Sequence, residues 1–307
     1  MGHGHEHHNH NANRTILVIS FFIITAFMFL EAIGGYLTNS LALLADAGHM
    51  LSDAISLGVA VMAMTVGAKA ADYSKTYGYR RFEILAAVFN GVTLILISLY
   101  IFYEALERFS NPPEVASTGM LIIAVIGLSV NILVAWMMMK GGDTKENLNV
   151  RAAFLHVLGD LFGSIGAIIA ALLIMFFGWG LADPLASVIV SALVLISGWK
   201  VSKNAVHILM EGTPSNVDVK EIADTMKREA GVTGVHDLHV WSISSGLNAL
   251  SSHVTVDGNK TVRECQVLLQ SLEKRLEDKN IHHVTLQIEH EIHHHKGALL
   301  CNMKHSH

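Results

Sequence analysis

The segment NSLALLADAGHMLSDAIS at residues 39–56 places two ionisable side chains, His49 and Asp53, inside an otherwise apolar run. Helical residues four apart share one face and lie about 6 Å apart along the axis, so the imidazole and the carboxylate aim at one point. The spacing recurs in HVLGD, where His156 and Asp160 lie in another long apolar segment. Two helices therefore each offer one nitrogen and one oxygen ligand.

Four such groups brought together form a tetrahedral N2O2 site, which suits zinc better than calcium or magnesium. Two ionised aspartates cancel the charge of a divalent cation, whereas two lone carboxylates in a membrane are costly. The alternative is that each His/Asp pair is an ordinary buried hydrogen bond. The matched pairs favour the metal site.

The composition indicates a membrane protein. Of 307 residues, 51% are hydrophobic and 15% are charged, which is too apolar for a soluble chain of this length. The formal net charge of −5 gives no support for nucleic-acid binding. Two cysteines, Cys265 and Cys301, do not suggest a disulfide framework.

Six apolar segments are each long enough to cross a bilayer, at residues 15–37, 41–68, 84–106, 118–139, 154–178 and 185–209. Lys and Arg concentrate in the second and fourth connections and after the sixth segment. By the positive-inside rule, both termini are cytoplasmic. We therefore expect an all-α six-helix membrane bundle at residues 14–210.

A soluble module is predicted at residues 211–291. Its pattern predicts helix 217–230, strands 235–244 and 248–257, helix 261–279 and strand 284–289. This αββαβ order indicates a small α+β sandwich of ferredoxin-like or metallochaperone-like type.

Histidines are concentrated outside the apolar segments. Residues 1–13 form a His-rich arm that either gathers metal loosely or is an expression tag, and residues 292–307 form a His-rich tail. Histidines converging across the strands of the module would form a second zinc site. The residues concerned are His3, His5, His7, His8 and His10 in the arm, His236, His239, His253, His282, His283, Glu289 and His290 in the module, and His293, His294, His295, Cys301, His305 and His307 in the tail.

Polar residues within the spans have two interpretations. Glu31, Asp46, Asn90 and Asn131 either form interhelical hydrogen bonds or contact metal, and the hydrogen bonds are favoured. Asp46 lies three residues before His49, on nearly the same face. It would orient that imidazole or act as a waiting ligand on the ion path.

These features together resemble the cation diffusion facilitator family, and most closely the zinc-transporting branch with the bacterial cobalt-zinc-cadmium resistance exporters. The resemblance is carried by the paired His-x-x-x-Asp motifs, the six spans and the module containing HDLHVW at residues 236–241. It implies a homodimer in the bacterial plasma membrane that exports zinc, with cadmium and cobalt as further candidates, by alternating access and proton antiport. It implies a transporter rather than an enzyme.

The resemblance also assigns site residues. The transport site falls on His49, Asp53, His156 and Asp160, and a cytoplasmic metal site of regulatory or structural role falls on His236, His253, His282 and Glu289. Some members hold a further metal site between spans two and three. Here Asp72 remains, but Lys75 and Tyr79 replace the histidines, so we expect that site to be absent.

The resemblance also suggests an ion pair between Arg81, at the start of span three, and Glu211, after span six. Positive-inside bias alone would equally explain Arg81. A metallohydrolase is disfavoured because four protein ligands leave no open position on the metal for water, and a metal sensor remains open. The chain has no GxxxxGK[ST] motif, so an ion gradient must drive transport.

Overall fold

The structure is a computed structural model that describes residues 6–66, 71–141, 148–244, 246–290 and 299–300. Six long helices are followed by a small αββαβ module. The elements are α1 (Glu6–Thr38), α2 (Leu41–Val66), α3 (Phe82–Ser110), α4 (Ser117–Gly141), α5 (Leu148–Phe177), α6 (Ala182–Leu209), α7 (Val219–Lys227), β1 (Val232–Ser244), β2 (Leu247–Val256), α8 (Val262–Glu277) and β3 (His283–His290). α1 begins at Glu6, inside the segment predicted to be an N-terminal arm.

Four of the long helices contain stretches long and apolar enough to span a membrane: Val18–Thr38, Phe82–Ser110, Ser117–Met137 and Ala182–Leu209. In α2 and α5, the described apolar parts are shorter, at Leu41–Ser52 and Leu161–Phe177. The predicted membrane domain is therefore confirmed as a set of apolar helices. The count of six spans stays a prediction.

The long helices bury polar side chains and expose large apolar ones. Glu31, Asp46 and Asn131 are buried, whereas Phe22 and Phe89 are 64% and 69% exposed. An apolar outer surface is what a lipid environment selects, and buried polar groups then bond between helices. The predicted interhelical bonding is confirmed for two asparagines. Asn90 Nδ2 donates to Ser52 Oγ at 2.9 Å, and Asn131 Nδ2 donates to Ser164 Oγ at 3.3 Å.

The start of α2 is held by a carboxylate from α6. The first amides of a helix lack intrahelical acceptors, and Asp183 accepts from the amides of Leu41 at 2.9 Å and Ala42 at 3.2 Å. Ser40 Oγ donates to the same carboxylate at 2.7 Å, and Arg108 Nη1 lies 3.8 Å from it. Asp183 is fully buried. The helix that carries His49 is thereby anchored at one end.

Helices α3 and α6 meet where small residues face each other. A Cβ added to Gly91 would lie 2.9 Å from the backbone nitrogen of Ser202 and 3.0 Å from the carbonyl oxygen of Gly198. Such separations leave no room for a side chain, so glycine permits this backbone approach.

The C-terminal module has the predicted αββαβ order. β1 pairs antiparallel with β2, and β2 pairs parallel with β3. α7 begins at the cap Asp218, and α8 begins with a capping box in which Thr261 and Glu264 satisfy each other's backbone amides. Buried side chains of both helices, including Met226 and Leu272, pack against Leu250 of the sheet.

The chain divides into two compact units, Met1–Lys69 with Ala86–Lys203 and Ala70–Leu85 with Asn204–His307. The short segment that precedes and begins α3 therefore groups with the C-terminal module. The predicted domain boundaries at 13/14, 210/211 and 291/292 stay predictions.

Candidate metal centre

The two His-x-x-x-Asp motifs lie on helices, as their spacing predicted. His49 and Asp53 belong to α2, and His156 and Asp160 belong to α5. The His49 side chain is half-buried. The side chains of Asp53, His156 and Asp160 lie outside the described residues, so the four-ligand transport site stays a prediction.

One contact brings α2 and α5 together close to both motifs. Asp46 is 3% exposed, and a Cβ added to Gly163 of α5 would lie 2.9 Å from Asp46 Oδ1. Asp46 is one helical turn before His49, and Gly163 is one turn after Asp160. The two helices run in opposite directions, because α2 begins and α5 ends beside the start of α4. The Asp46–Gly163 contact therefore lies one helical turn from His49 on α2 and one turn from Asp160 on α5. Both offsets run toward the same end of the helix pair.

A second group of metal-binding side chains lies on the sheet of the module. His236 on β1, His253 on β2 and Glu289 on β3 place one ligand atom each within 4.8 Å of one another. His236 and His253 are direct partners in the antiparallel register, and their ring centroids are 5.2 Å apart. Glu289 follows on the neighbouring parallel strand, opposite Thr255. Three adjacent strands therefore supply two nitrogens and one carboxylate.

The carboxylate of Glu289 bridges the two imidazoles. Its Oε1 lies 2.6 Å from His253 Nδ1, and its Oε2 lies 3.2 Å from His236 Nε2. Gln287 Nε2 also donates to Glu289 Oε1, at 2.9 Å. Ligands of a tetrahedral zinc ion are about 3.4 Å apart. A small opening of the His253–Glu289 hydrogen bond would therefore make this set fit zinc.

The structure does not bring His282 to this group. His282 is exposed and precedes β3, where its backbone amide donates to the carbonyl of Asn248 at 3.1 Å. It is seven residues from Glu289, and a strand advances about 3.3 Å per residue, so the two lie about 23 Å apart along the chain. The structure of the single chain thus does not place His282 with the cluster, and its assignment as a fourth ligand stays a prediction.

Sequence reasoning also missed Asp237. This residue has a positive φ of 51° and lies in an irregularity of the β1–β2 register between His236 and His239. Its Oδ1 lies 3.3 Å from His239 Nε2, and its Oδ2 lies 3.8 Å from His253 Nε2. The irregularity in the register directs the Asp237 carboxylate toward the imidazoles of His239 and His253. The carboxylate between the histidines of HDLHVW was the signal that could have identified it.

The loop before α3 uses Asp72 to form a turn. Its Oδ1 accepts hydrogen bonds from Ser74 Oγ at 2.6 Å and from the amides of Lys75 and Ser74, each at 2.8 Å, while Tyr79 Oη donates to Oδ2 at 3.2 Å. The Ser74 hydroxyl first, and then the two amides, lower the pKa of Asp72 to about 2.

The remaining predicted metal-gathering residues lie elsewhere. His3 and His5 lie outside the described residues, as do the histidines and Cys301 of the tail, and the side chains of His7, His8 and His10 are not described either. His283 is described, and its ring is nearly perpendicular to that of Tyr77, with centroids 5.5 Å apart.

Comparison with known proteins gives matches over nearly the whole chain. Residues 17–210 match the cation efflux transmembrane domain, and residues 214–291 match the cytoplasmic domain of cation efflux proteins. The chain is 62% identical to the cadmium, cobalt and zinc/H(+)-K(+) antiporter of Bacillus subtilis (strain 168), over 95% of this chain and 94% of the relative.

Two further similar proteins come from other bacteria. The metal cation efflux system protein CzcD of Cupriavidus metallidurans is 40% identical over 94% of this chain and 90% of its own length. The zinc transporter ZitB of Escherichia coli (strain K12) is 43% identical over 90% of this chain and 87% of its own length.

Proposed function

The chain belongs to the cation efflux family of membrane proteins, and from this premise we propose that it exports zinc from the cytoplasm in exchange for protons. Cadmium and cobalt are the further substrates, in line with the names of the relatives. The transport site is His49, Asp53, His156 and Asp160. The single observation that supports this assignment most directly is the Asp46–Gly163 contact, which joins the two motif-bearing helices one turn from the motifs.

The ligand chemistry explains how protons drive the export. Zinc requires neutral imidazoles and ionised carboxylates, so protons and metal compete for the same atoms. On the cytoplasmic side zinc displaces protons, and on the outer side protons displace zinc. Two ionised aspartates neutralise the divalent charge of the loaded site, and protonation lowers the charge of the empty one. The zinc-loaded site and the protonated empty site therefore both have a low free-energy cost of burying charge in the low-dielectric interior of the membrane.

The cytoplasmic module has a separate role in this proposal. The module associates with the same module of a second copy of the chain in a homodimer, as the match to the cytoplasmic domain of cation efflux proteins suggests. Zinc at His236, His253 and Glu289 links three strands and so stabilises the folded module. Its role is regulatory or structural rather than a step of transport.

The membrane arrangement follows from charge. Six spans, both termini in the cytoplasm and a bacterial plasma membrane are the arrangement that agrees with the positions of Lys and Arg. The sequence contains no GxxxxGK[ST] motif for nucleotide binding, and in this proposal a gradient of ions drives transport.

A metal sensor is the second candidate, because the cluster at His236, His253 and Glu289 could bind zinc without any transport. The two functions differ in one measurable quantity, which is the flux of zinc across a membrane.

Zinc uptake into proteoliposomes of the full-length protein tests the proposal. Vesicles acidic inside should accumulate zinc through the cytoplasmic face, and a protonophore should abolish the excess. A potassium gradient is imposed separately, because the Bacillus relatives carry potassium in their names. Asp160→Ala vesicles are the control. Uptake that ignores the proton gradient would refute antiport, and zinc binding without any uptake would favour the sensor.

A further inference from the structure

A cleft of about 630 Å³ opens beside the start of α3, apart from the metal-binding residues. It is lined by the loop at residues 74–79, by Arg81 and the first turn of α3, and by Glu211 and Trp241. All of these residues belong to the same compact unit. The cleft is large enough for the headgroup of a phospholipid or a ligand of similar size.

The residues that line the cleft carry a net positive charge, from Lys75 and Arg81 against Glu211. Lys75 Nζ lies 5.5 Å from the centre of the Tyr79 ring, and in the described part of the chain no carboxylate lies within ion-pairing distance of it. The lining has one carboxylate, Glu211, and Arg81 pairs with it at 3.2 Å. The charge left for a ligand is therefore the Lys75 ammonium, which favours an anion.

Two neutral hydrogen-bond donors also line the cleft. The Tyr77 hydroxyl and the Trp241 indole N–H have no hydrogen-bond partner among the residues that the structure describes. The rings of Tyr77 and His283 are nearly perpendicular, and this ring contact does not engage the Tyr77 hydroxyl. An ammonium, a hydroxyl and an indole N–H together suit the non-bridging oxygens of a phosphate group.

The cleft adjoins a segment that fits a membrane span. α3 is apolar enough to cross a bilayer from Phe82 onward, so the loop before it lies at the depth of the headgroups. Phe82 and Leu85 in the lining are 53% and 54% exposed, and Tyr73 in the same loop is fully exposed. Exposed aromatic rings next to cations are typical of the membrane interface.

We propose that this cleft binds the phosphate headgroup of an anionic membrane lipid. The phosphate accepts hydrogen bonds from Lys75, Tyr77 and Trp241, and the first part of an acyl chain lies against Phe82 and Leu85. A soluble phosphate compound would use the donors but leave this apolar part of the lining in water. The combination of charge, donors and exposed apolar side chains at one opening therefore favours the lipid.

Lipid titration of the full-length protein in detergent micelles tests the proposal. Phosphatidylglycerol and phosphatidylcholine are added in parallel, and native mass spectrometry measures the lipid retained per protomer. We expect phosphatidylglycerol to be retained in preference. A cation near an anionic lipid contributes a factor of about five, so Lys75→Gln should weaken retention about fivefold. Tyr77→Phe should weaken it by a smaller factor.

Arg80→Gln is the matched control, because it removes one positive charge from the same loop but does not line the cleft. Equal losses in Lys75→Gln and Arg80→Gln would overturn the proposal in favour of a diffuse basic surface. Glycerol phosphate serves as the soluble competitor. Competition by glycerol phosphate at the same concentration as the lipid would overturn the lipid assignment and leave a soluble-phosphate site.

Discussion

Arg81 Nη2 lies 3.2 Å from Glu211 Oε1, which joins the residue before α3 to the segment just after α6. The ion pair predicted for these residues therefore forms. Their side chains are 40% and 64% exposed, and such exposed pairs contribute only about 0–1 kcal/mol to stability. A large functional effect of either residue would thus come from positioning the two segments rather than from the free energy of unfolding.

A charge reversal separates these two effects. Arg81→Glu and Glu211→Arg should each lower zinc transport in proteoliposomes severalfold, because each places like charges at a 3.2 Å contact. The double variant restores opposite charges and should recover part of the loss. Transport rates at equal protein density measure the recovery.

Arg80→Glu is the control for this pair. Arg80 is exposed and has no ion pair among the residues that the structure describes. If Arg80→Glu lowers transport as much as Arg81→Glu, and the double variant is not rescued, both arginines serve only the positive-inside bias of the loop.

Removal of the bridging carboxylate tests the module's metal site. Glu289→Gln should lower the zinc bound by the full-length protein by about one ion per protomer, because two imidazoles alone leave the ion with too few ligands. Dimer dissociation should become easier if the metal stabilises the module. Equilibrium dialysis and analytical ultracentrifugation measure these quantities.

Glu273→Gln provides the matched control, since Glu273 is exposed on α8 and its removal changes the charge equally. An unchanged zinc stoichiometry in Glu289→Gln would show that the three side chains form only a hydrogen-bonded cluster.

The local elements of the module were predictable because each has a short-range cause. Strand alternation and the Thr261–Glu264 capping box are present in neighbouring residues, and the observed elements differ from the predicted ones by only a few residues at their ends. The cluster of His236, His253 and Glu289 depends instead on strand register. Register is set by side chains distant in sequence, and this is why the sequence alone neither separated His282 from the cluster nor identified Asp237.

The turn at Asp72 makes a prediction about proton binding. The pKa of Asp72 is about 2, against an ordinary value of 3.8, and the Ser74 hydroxyl is the largest cause. Ser74→Ala should therefore raise the pKa toward the ordinary value. A carboxyl with a lowered folded-state pKa stabilises the turn above its ordinary pKa, and this contribution is lost as the pH falls from about 4 to about 2.

Carbon-13 NMR of labelled aspartate in the solubilised protein measures this pKa, and Asp72→Asn assigns the signal. The Asp72 carboxylate already accepts hydrogen bonds from Ser74, Lys75 and Tyr79. Asp72→Asn should therefore leave the zinc stoichiometry unchanged. A loss of one zinc per protomer would instead identify a metal site in this loop.

A methyl group at the α2–α5 contact should impair transport. In Gly163→Ala, the new Cβ would lie 2.9 Å from Asp46 Oδ1, so the carboxylate or the helices must shift. Overpacking of this kind costs about 1–3 kcal/mol, and we expect at least a tenfold loss of transport rate. Gly166→Ala, one turn further along α5, meets no atom within 4 Å and should retain the wild-type rate. Equal effects of the two substitutions would show that the Asp46 contact has no special role.

The last prediction concerns metal selectivity, where ligand type has the most direct consequence. Two imidazoles and two carboxylates favour zinc, with cobalt and cadmium tolerated, while manganese and magnesium prefer more oxygen ligands and a higher coordination number. His49→Asp changes the proposed site to one nitrogen and three oxygens. Manganese and cadmium should then be transported more readily relative to zinc, and protons should compete at lower pH because a carboxylate titrates below an imidazole.

Asp160→Ala is the companion variant and should abolish transport, since zinc would enter the membrane with an uncancelled charge. The ratio of zinc to cadmium transport, measured in the same vesicles over a range of pH, gives the result for His49→Asp. Full activity with an unaltered ratio would show that His49 is not a ligand. The ion path would then have to be assigned to other polar residues buried between the helices, among them Asp46, one helical turn before His49 on α2.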